Sequence, residues 1–470
     1  MQAGGAEWAA ESLAERLAVV RRFRHALAAD GPSFAAAASG MLGTPPTEGL
    51  VAEVLPLADA CRFIEREAPA LLAPRRLGAL GRPAWLFGVE LEIRREPLGR
   101  VLVIGAGNYP LLLMGVQAIQ ALIAGNRVIV KPGRGGGPAA LALAEGLRRA
   151  GLPDGTLTVL DEEVSSARAA IETGVDKVVL TGSATSGRAV LEALAPHLTP
   201  AVMELSGCDA CLVLDGADLD LVTRAVTFGL RFKGSATCVA PRRLIASAET
   251  LALLEPRLVA AAGKIAPRSI SASTARLVAT LVDDAVSRGA RLATGRDGLG
   301  ETMRVAVVAD ARVDMPLLQE DLFAPILSLV AADGVEEAVA LANACPYGLG
   351  ASIFGPEAPA LAAAEKLDVG CVQINDVIAS TADPRLPFGG RRASGFGVTR
   401  GAEGLLEMTA IKTVSLRRAR MRQYLDPLRP GDEAIFLGYL RAVHARSWRT
   451  RAGALVALVA ALSRRGRPVA

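Results

Sequence analysis

Two side chains of this sequence have the chemistry of catalytic groups and lie in unusual local contexts. Cys238 lies in GSATCVAPRRL, where small and polar residues surround the thiol, and Glu204 follows the apolar run AVM in AVMELSG. A single cysteine is most often a buried small hydrophobe, and a single glutamate most often lies on the surface. A carboxylate at the end of a buried strand is costly unless a partner stabilises it. These contexts favour a thiol nucleophile and a buried acid or base.

A third candidate group lies in VLVIGAGNYP, residues 101–110, which begins like a dinucleotide-binding turn. Such a turn continues to a third glycine that lets helix and strand pack closely, and an acidic residue about 20 positions later holds the ribose. Here Pro110 replaces the third glycine, and no Asp or Glu occurs from Pro97 through Ala144. The fingerprint therefore fails at two points, and Asn108 in this turn needs another explanation.

The elements that would position these groups alternate between short apolar strands and helices. Strands are predicted at VLVI (101–104), RVIVK (127–131), LTVL (157–160), KVVLTG (177–182) and AVMEL (201–205), with helical segments such as PAALALAEGLRRAG between them. A second series follows with ACLVLD, RRLIA, APILSLVA, GASIFG and CVQIN. Continuous apolar strands that alternate with helices indicate parallel sheets covered on both faces. We therefore predict two α/β domains with a ligand-binding cleft between them.

The flanking segments have different patterns. Residues 6–80 are rich in Ala, Leu, Glu and Arg at helical spacing, so we predict that the chain opens with several helices. The segment VELEIRREPLG, residues 89–99, alternates apolar and charged residues before a proline and a glycine, which is typical of a solvent-facing strand.

Eight stretches occur in the order typical of the aldehyde dehydrogenase superfamily, which this chain resembles from about residue 90 to residue 416. They are EPLGRVLVIGAGNYPL, VKPG, LTGSATSG, MELSG, ATCVAPRRL, QEDLFAPIL, NACPYGLGASIF and PFGGRRASGFG. Glu204 and Cys238 are 34 residues apart, which matches the family's separation of general base and nucleophile. The resemblance implies an α/β fold with a Rossmann-like cofactor domain, an α/β catalytic domain and a small β oligomerisation element.

The resemblance also implies a role for each candidate group. In this family a thiolate adds to an aldehyde carbonyl, and hydrogen-bond donors stabilise the oxyanion before hydride leaves for the nicotinamide. Cys238 matches the nucleophile, and the donors are its backbone N–H and the side-chain amide at Asn108. Glu204 matches the base that activates water to hydrolyse the thioester. The expected reaction is NAD(P)-dependent oxidation of an aldehyde to a carboxylic acid.

Two other functions stay open on sequence grounds. CoA-acylating relatives pass the acyl group to CoA and usually lack a glutamate at this position, so Glu204 argues against that function. A member that binds cofactor but has lost turnover would serve as a scaffold, and the presence of Cys238, Glu204 and Asn108 counts against it. The identity of the aldehyde is not predicted, because the tunnel-lining residues lie in loops.

The resemblance places the dinucleotide away from the turn at Asn108. Lys131 matches the lysine that reaches the adenosine ribose, and Gly182 and Ser183 match the loop at a helix N-terminus beside the pyrophosphate. Members that prefer NAD often place a glutamate three residues after this lysine, where this chain has Arg134. An arginine can pair with a 2′-phosphate, so the charge favours NADP over NAD. The alternative is that Arg134 points to solvent.

The segment QEDLFAP replaces the family's Glu-x-Phe-Gly-Pro, which holds the nicotinamide ribose. Counting back from Phe323 places Asp321 at the glutamate position, one methylene shorter, with Glu320 beside it. We predict Asp321 and Phe323 as cofactor-binding residues, with Glu320 as the alternative to Asp321. Ser206 also replaces the usual glycine after EL, so these departures indicate a divergent member of the superfamily.

Composition limits the class of protein and its surroundings. With 470 residues, 51% of them hydrophobic, the chain can form two or more domains. Six cysteines without paired spacing and only three histidines argue against a metal site. The N-terminus has early acidic residues and no continuous apolar core, so we predict no signal peptide and a cytoplasmic location. Only six of the 52 basic residues are lysines, so each lysine position is of interest.

The domain boundaries follow from the resemblance. We predict a cofactor-binding domain at 1–205, which includes strand 85–97 as an oligomerisation element, and a catalytic domain at 206–400. Residues 401–416 are predicted to form the closing strand that pairs across subunits, so a homodimer or homotetramer is implied. Residues 417–470 form a basic extension outside the resemblance.

The extension combines arginines with an apolar stretch. It holds 12 arginines against three acidic residues, and AGALVALVAAL spans 11 residues. A transmembrane helix needs about 20. We predict no nucleic-acid partner and a peripheral membrane contact through 417–470, with the arginines beside an interfacial helix. A solvated tail and an ordinary packed helix are the alternatives.

Overall fold

The first part of the structure is helical, as the sequence pattern predicts. The computed structural model describes residues 4–40, 43–418, 423–425 and 427–465. Ser12 begins the second helix with a capping box, in which its hydroxyl and the Glu15 carboxylate satisfy each other's backbone N–H groups. The elements up to residue 97 are α1 (Gly4–Ala10), α2 (Leu13–Ala29), α3 (Gly31–Ala37), α4 (Pro46–Gly49), a π-helical turn (Leu50–Val54), α5 (Leu55–Leu71), β1 (Arg75–Leu77) and β2 (Val89–Pro97).

The predicted strands between residues 100 and 205 form the parallel part of one sheet. The elements are β3 (Arg100–Ile104), α6 (Leu112–Ile123), β4 (Arg127–Lys131), α7 (Gly137–Arg149), β5 (Leu157–Val159), α8 (Val164–Thr173), β6 (Lys177–Gly182), α9 (Ala184–Leu194) and β7 (Ala201–Leu205). The strand order is β7-β6-β3-β4-β5. All five predicted strands are confirmed, and helices cover both faces of the sheet as predicted.

Helix α6 follows the Asn108 turn directly and is buried along its whole length. A helix that is apolar on all sides belongs in a core. The neighbouring helices α2, α5 and α7 belong to the same hydrophobic cluster. The turn that carries Asn108 therefore leads directly into a helix whose position is fixed by packing.

The second predicted series of strands forms a separate sheet. The elements from residue 209 to residue 374 are β8 (Asp209–Val213), α10 (Leu219–Arg231), β9 (Pro241–Ala246), α11 (Ala248–Ala262), β10 (Arg268–Ser269), α12 (Ala272–Ser287), β11 (Arg291–Leu292), β12 (Thr302–Met303), β13 (Ala306–Ala309), β14 (Ile326–Ala331), α13 (Val335–Asn343), β15 (Tyr347–Gly348), β16 (Gly350–Phe354), α14 (Glu357–Ala364) and β17 (Cys371–Ile374). Strands β10 and β12 pair in a small sheet of their own, and β15 lies outside the large sheet. The order is β11-β13-β14-β9-β8-β16-β17, and only the β11–β13 pair of this sheet is antiparallel. Strand β13, a short buried run of alanines and valines, was not predicted.

The last elements differ in part from the predicted closing strand. They are β18 (Arg391–Arg392), β19 (Gly395–Phe396), α15 (Gly401–Glu407), β20 (Thr409–Arg417), α16 (Asp432–His444) and α17 (Trp448–Arg465). The predicted strand 401–416 begins as helix α15, because GAEGLLE has helical spacing with Leu405 in the core, and the strand pattern starts at Thr409. Strand β19 pairs with β7 in the first sheet, and β20 forms a small sheet in the order β1-β2-β20.

The described chain divides into two compact units. One consists of Met1–Pro74 and Arg94–Lys412, and the other of Arg75–Ile93 and Thr413–Ala470. No helix among the described residues has the length and apolar character needed to cross a membrane. The predicted apolar stretch at 452–462 lies within α17. The boundaries at 205 and 400 stay predictions.

Candidate active site

Cys238 lies where two cavities of the structure meet. It belongs to the loop between a 3₁₀ turn, Phe232–Ser235, and strand β9, and its side chain is partly exposed. A cavity of about 590 Å³ and a second of about 250 Å³ both have Cys238 in their walls. A thiol in this position can contact one ligand in each cavity, as a reaction between a substrate and a cofactor requires.

Glu204 lies on β7, in the wall of the larger cavity, and is 3% exposed. Thr399 donates its hydroxyl to Oε2 at 2.9 Å, whereas Oε1 is buried and no described residue bonds to it. Burial raises the pKa of Glu204, and the Arg400 cation and the Thr399 hydroxyl act in the opposite direction. The carboxylate is therefore held by one oxygen and keeps the other for a proton.

Two hydrogen bonds join the Asn108 turn to the Cys238 loop. Asn108 Nδ2 donates to the Ala236 carbonyl at 2.7 Å, and the hydroxyls of Tyr109 and Thr237 share a hydrogen bond of 2.7 Å. An amide group has two N–H donors, so Asn108 keeps a second donor for a ligand. Asn108 and Cys238 line the same cavity, as the resemblance implies.

The surroundings of Cys238 favour its neutral form. Burial raises the pKa of the thiol, and the carboxylates of Glu204 and Asp209 raise it further, while the Arg400 cation acts in the opposite direction. Because the thiolate is the nucleophilic form, Cys238 needs a group that accepts its proton. Cys238 is partly exposed, so water in the cavity can accept this proton.

Arg400 lies at the reacting end of the smaller cavity, and the sequence pattern gave no signal for it. Its side chain is 8% exposed, its guanidinium lies 4.3 Å from the Phe388 ring centroid, and it donates to the Thr381 carbonyl at 2.5 Å. Its φ of +60° is uncommon outside glycine. Such backbone strain clusters at functional sites, and the Arg400 charge acts on both Glu204 and Cys238.

The predicted cofactor residues mostly line the larger cavity. Those in its wall are Lys131, Arg134, Gly182, Ser183 and Phe323. Lys131 ends β4 and is 7% exposed. Ser183 caps α9, whose first N–H groups favour a pyrophosphate. Two cations and a helix N-terminus in one elongated cavity fit an anionic dinucleotide.

A carboxylate holds the glycine loop that carries Arg134. Glu162 accepts hydrogen bonds from the backbone N–H groups of Gly135 at 2.7 Å and Gly137 at 2.8 Å. These bonds and the Lys131 and Arg134 cations lower the pKa of Glu162. The ionised carboxylate therefore fixes the loop that presents Arg134 at the cavity.

Asp321 differs from Phe323 in its relation to the larger cavity. Phe323 and Ser206 are in the described wall, whereas Asp321 is not among the residues of this wall. Burial raises the pKa of Asp321 to about 6, and the Ser206 hydroxyl and the Arg242 cation act against this rise. Glu320, the alternative, is exposed. The assignment of Asp321 to the ribose stays a prediction.

A buried ion pair that the sequence did not predict lies beside the active-site loops. Lys233 Nζ donates to Glu53 Oε1 at 2.7 Å, and the two side chains are 1% and 0% exposed. Glu53 Oε2 accepts the backbone N–H groups of Leu111 and Leu112 at 3.1 and 2.8 Å. The available signal was the scarcity of lysine, with one of six placed five residues before Cys238.

The fold and the site define an α/β enzyme in which one thiol faces both a dinucleotide-sized cavity and a smaller apolar cavity. The profile of the aldehyde dehydrogenase family matches residues 1–414. The chain belongs to this family. It is an oxidoreductase that acts on aldehydes and uses NAD or NADP. The basic extension lies outside the matched segment.

Individual relatives agree with this assignment. The 4,4′-diapolycopene aldehyde oxidase of a Methylomonas species is 32% identical over 389 residues, which cover 81% of this chain and 73% of the relative. The NADP-dependent succinate-semialdehyde dehydrogenase of Deinococcus radiodurans is 32% identical over 425 residues, 87% of each chain. The NADP complex of the NADP-dependent glyceraldehyde-3-phosphate dehydrogenase from Bacillus halodurans superposes with a TM-score of 0.82 and 27% identity, and covers 88% of this chain and 89% of that structure.

Proposed function

We propose that Cys238 is the nucleophile that attacks the aldehyde carbon. The thiol first loses its proton to water in the cavity. Its sulfur then bonds to that carbon, and the carbonyl oxygen becomes an oxyanion that the Asn108 amide and the Cys238 backbone N–H stabilise. NAD(P), when bound in the larger cavity, supplies the acceptor for the hydride that leaves this carbon. The acyl group remains on the sulfur as a thioester. The observation that carries this proposal is the place of Cys238 in the walls of both cavities, with Asn108 beside it.

Glu204 is the base that completes the reaction. Its Oε1 accepts a proton from water while the water oxygen bonds to the acyl carbon. The carbon–sulfur bond then breaks, which releases the carboxylic acid and the Cys238 thiolate. The buried Oε1, to which no described residue forms a hydrogen bond, supports this role. Transfer of the acyl group to CoA needs no such base, so Glu204 favours hydrolysis.

Variants at these two residues test the proposal with propanal as substrate. Cys238→Ala should abolish NAD(P)H formation, because no carbon–sulfur bond can form. Glu204→Gln should give a first burst of NAD(P)H and then a steady-state rate about 10²- to 10⁴-fold lower, because only hydrolysis is impaired. Rapid-mixing absorbance resolves the burst. Cys371→Ala, at the other partly exposed cysteine of the described chain, is the control and should keep turnover.

Two results would replace this function with another. CoA-dependent turnover that survives Glu204→Gln would identify an acylating enzyme. Cofactor binding without turnover of short, long or aromatic aldehydes would identify a scaffold.

NADP is the preferred cofactor in this proposal, because Arg134 and Lys131 both face the larger cavity. Arg134→Glu should raise the KM for NADP about 10- to 100-fold, through loss of a charged hydrogen bond, and should lower the KM for NAD. Steady-state kinetics with both cofactors measure this change. Arg188→Glu, at an exposed position of α9 outside the cavity wall, is the matched control. Equal effects of both variants on the two KM values would show that the Arg134 side chain points to solvent and does not bind the cofactor.

The protein is proposed to be a cytoplasmic homodimer or homotetramer with a peripheral membrane contact. Strand β20 is an edge of its small sheet, with Ile411 and Leu416 63% and 47% exposed, and open strand edges pair with other chains. Light scattering of the purified protein measures the oligomer. Helices α16 and α17 carry the proposed membrane contact.

A further inference from the structure

Aliphatic and aromatic side chains form most of the wall of the smaller cavity. Phe228 and Phe232, one helical turn apart, stack with ring centroids 4.8 Å apart. The rest of the apolar wall includes Leu112, Leu113, Val239, Ile378 and Phe388. A cavity of this kind favours a ligand whose apolar surface is removed from water on binding.

The hydroxyl groups of this cavity are already bonded to protein. Thr237 shares its hydroxyl with Tyr109 at 2.7 Å, and Thr381 donates to the Ile378 carbonyl at 2.6 Å. A polar ligand group buried here would lose its water and would have only the remaining donor and acceptor sites of these three bonded hydroxyls as partners. The wall therefore disfavours a hydroxylated substrate body.

Arg400 and Asp59 are the charged residues in the described wall. Asp59 is exposed. Arg400 lies over the Phe388 ring and lines the same cavity as Cys238, which places it near the reacting group. Its Nε is buried and no described residue bonds to it, so a substrate with an anionic group is the competing occupant.

The rim of the cavity is apolar as well. Val51 and Leu55 line the cavity and are 55% and 58% exposed. We infer that the substrate is an aldehyde with an uncharged, mainly hydrocarbon body that fills this cavity and extends across Val51 and Leu55. The inference rests on the proposed role of Cys238 as the nucleophile.

A chain-length series tests the inference. Turnover of propanal, butanal, hexanal and octanal should show kcat/KM rising about three- to fourfold for each added methylene group. The matched pair hexanal and 6-oxohexanoate differs only by a terminal carboxylate, and the charged member should have a kcat/KM at least about tenfold lower because its charge would be buried in an apolar wall. A flat series, or a preference for 6-oxohexanoate, would overturn the inference and assign Arg400 to an anionic substrate group.

The rim has a matched control in the same chain. Leu55→Glu should lower kcat/KM for octanal at least about tenfold more than for propanal, because only the longer chain reaches Leu55. Leu253→Glu, on α11 and outside both cavities, changes a leucine of nearly equal exposure, 57%, and should change neither substrate. Equal losses for octanal and propanal in Leu55→Glu would contradict the proposed path of the chain.

A binding measurement separates this inference from the proposed function. Hexanamide and adipamic acid are unreactive amides of the same length, and calorimetry on the wild-type protein should show tighter binding of hexanamide. Propanal turnover that depends on Cys238 tests the proposed function alone. If turnover is absent but hexanamide is preferred, the proposed function fails and the substrate class stands. If both amides bind equally, or neither binds, the inference fails.

Discussion

Two consecutive residues, Thr399 and Arg400, determine the orientation and the charge of the Glu204 carboxylate. Thr399 holds Oε2 by a hydrogen bond of 2.9 Å, which orients the carboxylate, and the Arg400 cation favours its charged form against the effect of burial. The same cation favours the Cys238 thiolate against burial and the carboxylates of Glu204 and Asp209. Removal of the Arg400 cation should therefore raise the pKa of Glu204 and the pKa of Cys238.

The acidic limb of the pH–rate profile should move when Arg400 is replaced. Burial already raises the pKa of Glu204, so the base is lost at a higher pH than for a free glutamate. Arg400→Met removes the opposing cation, raises the pKa of Glu204 and of Cys238 further, and should shift the acidic limb to higher pH. Arg400→Lys keeps a charge and should shift it less. The measurement is kcat against pH at saturating aldehyde and cofactor.

The control for this prediction is Arg385→Met, because Arg385 is an exposed arginine paired with Asp383. Its profile should match the wild type. A uniform loss of kcat at every pH in Arg400→Met, with an unchanged limb, would show that Arg400 only supports the packing of the site.

At the scale of elements, the Glu53–Lys233 pair connects three segments around the site. Glu53 belongs to the π-helical turn, its carboxylate holds the first N–H groups of α6, and Lys233 begins the turn that leads to Cys238. Lys233 has a φ of +51°, so this turn holds a strained conformation. The pair therefore positions the Asn108 turn and the Cys238 loop relative to each other.

Glu53→Gln should lower both stability and turnover. Breaking a buried ion pair costs about 3–5 kcal/mol, because an uncompensated charge remains, and a small displacement of reacting groups lowers the rate about 10²-fold. We expect a lower thermal midpoint, a lower kcat and an unchanged Kd for the cofactor, since Glu53 is not in the wall of the larger cavity. Denaturation curves, steady-state kinetics and cofactor titration measure the three quantities.

Glu407→Gln is the control, because it breaks the ion pair of another mostly buried lysine, Lys177, outside both cavities. This variant should lose stability without the drop in kcat. If both variants lose kcat only in proportion to the folded fraction, the Glu53–Lys233 pair has no positioning role.

The same elements show why part of the site could be predicted. Glu204, Lys131 and Gly182 lie at or next to the ends of apolar strands. Parallel strands bring such ends to one edge of a sheet, so the strand pattern agrees with the positions that the family resemblance implies. Arg400 was not predicted because it reaches the site through folding: its neighbour Thr399 bonds to Glu204 across 195 residues of sequence.

Other differences also have local reasons. Glu53 and Lys233 are 180 residues apart, so no spacing rule connects them. The closing strand was predicted from residue 401 on the family resemblance, which does not fix where the strand begins, whereas GAEGLLE forms helix α15. Asp321 aligns with the family motif by its spacing from Phe323, but spacing along the chain does not determine whether a side chain lines the cavity.

At the scale of the whole molecule, the unit formed by Arg75–Ile93 and Thr413–Ala470 contains two helices that pack closely. A Cβ atom on Gly438 of α16 would lie 3.1 Å from the Leu458 Cα of α17. Away from this contact each helix keeps an exposed apolar stripe at helical spacing, with Phe436, Leu440 and Val443 on α16 and Trp448, Leu455, Val459 and Leu462 on α17.

The arginines beside these apolar stripes favour an anionic membrane as the partner of the two helices. Arginines at 441, 446, 449, 451 and 464 accompany them, and an apolar stripe flanked by arginines is typical of a helix that lies in an anionic membrane interface. An apolar substrate body, as inferred above, would also partition into that membrane. A second copy of the chain is the competing occupant, and it would not require the positive charge.

The 470-residue protein should therefore sediment with vesicles that contain phosphatidylglycerol. It should sediment less with phosphatidylcholine vesicles or at high salt, because both conditions weaken the attraction of the arginines. The double variant Leu455→Gln and Val459→Gln, whose side chains are 55% and 56% exposed, should lower the partition coefficient at least about tenfold, since two apolar side chains leave the interface.

Leu253→Gln with Val286→Gln, at exposed apolar positions on α11 and α12, is the control and should sediment like the wild type. Equal partitioning of both double variants would exclude the membrane contact. Light scattering in the same experiment would assign the stripes to a subunit interface if the Leu455 and Val459 variant changed the mass instead.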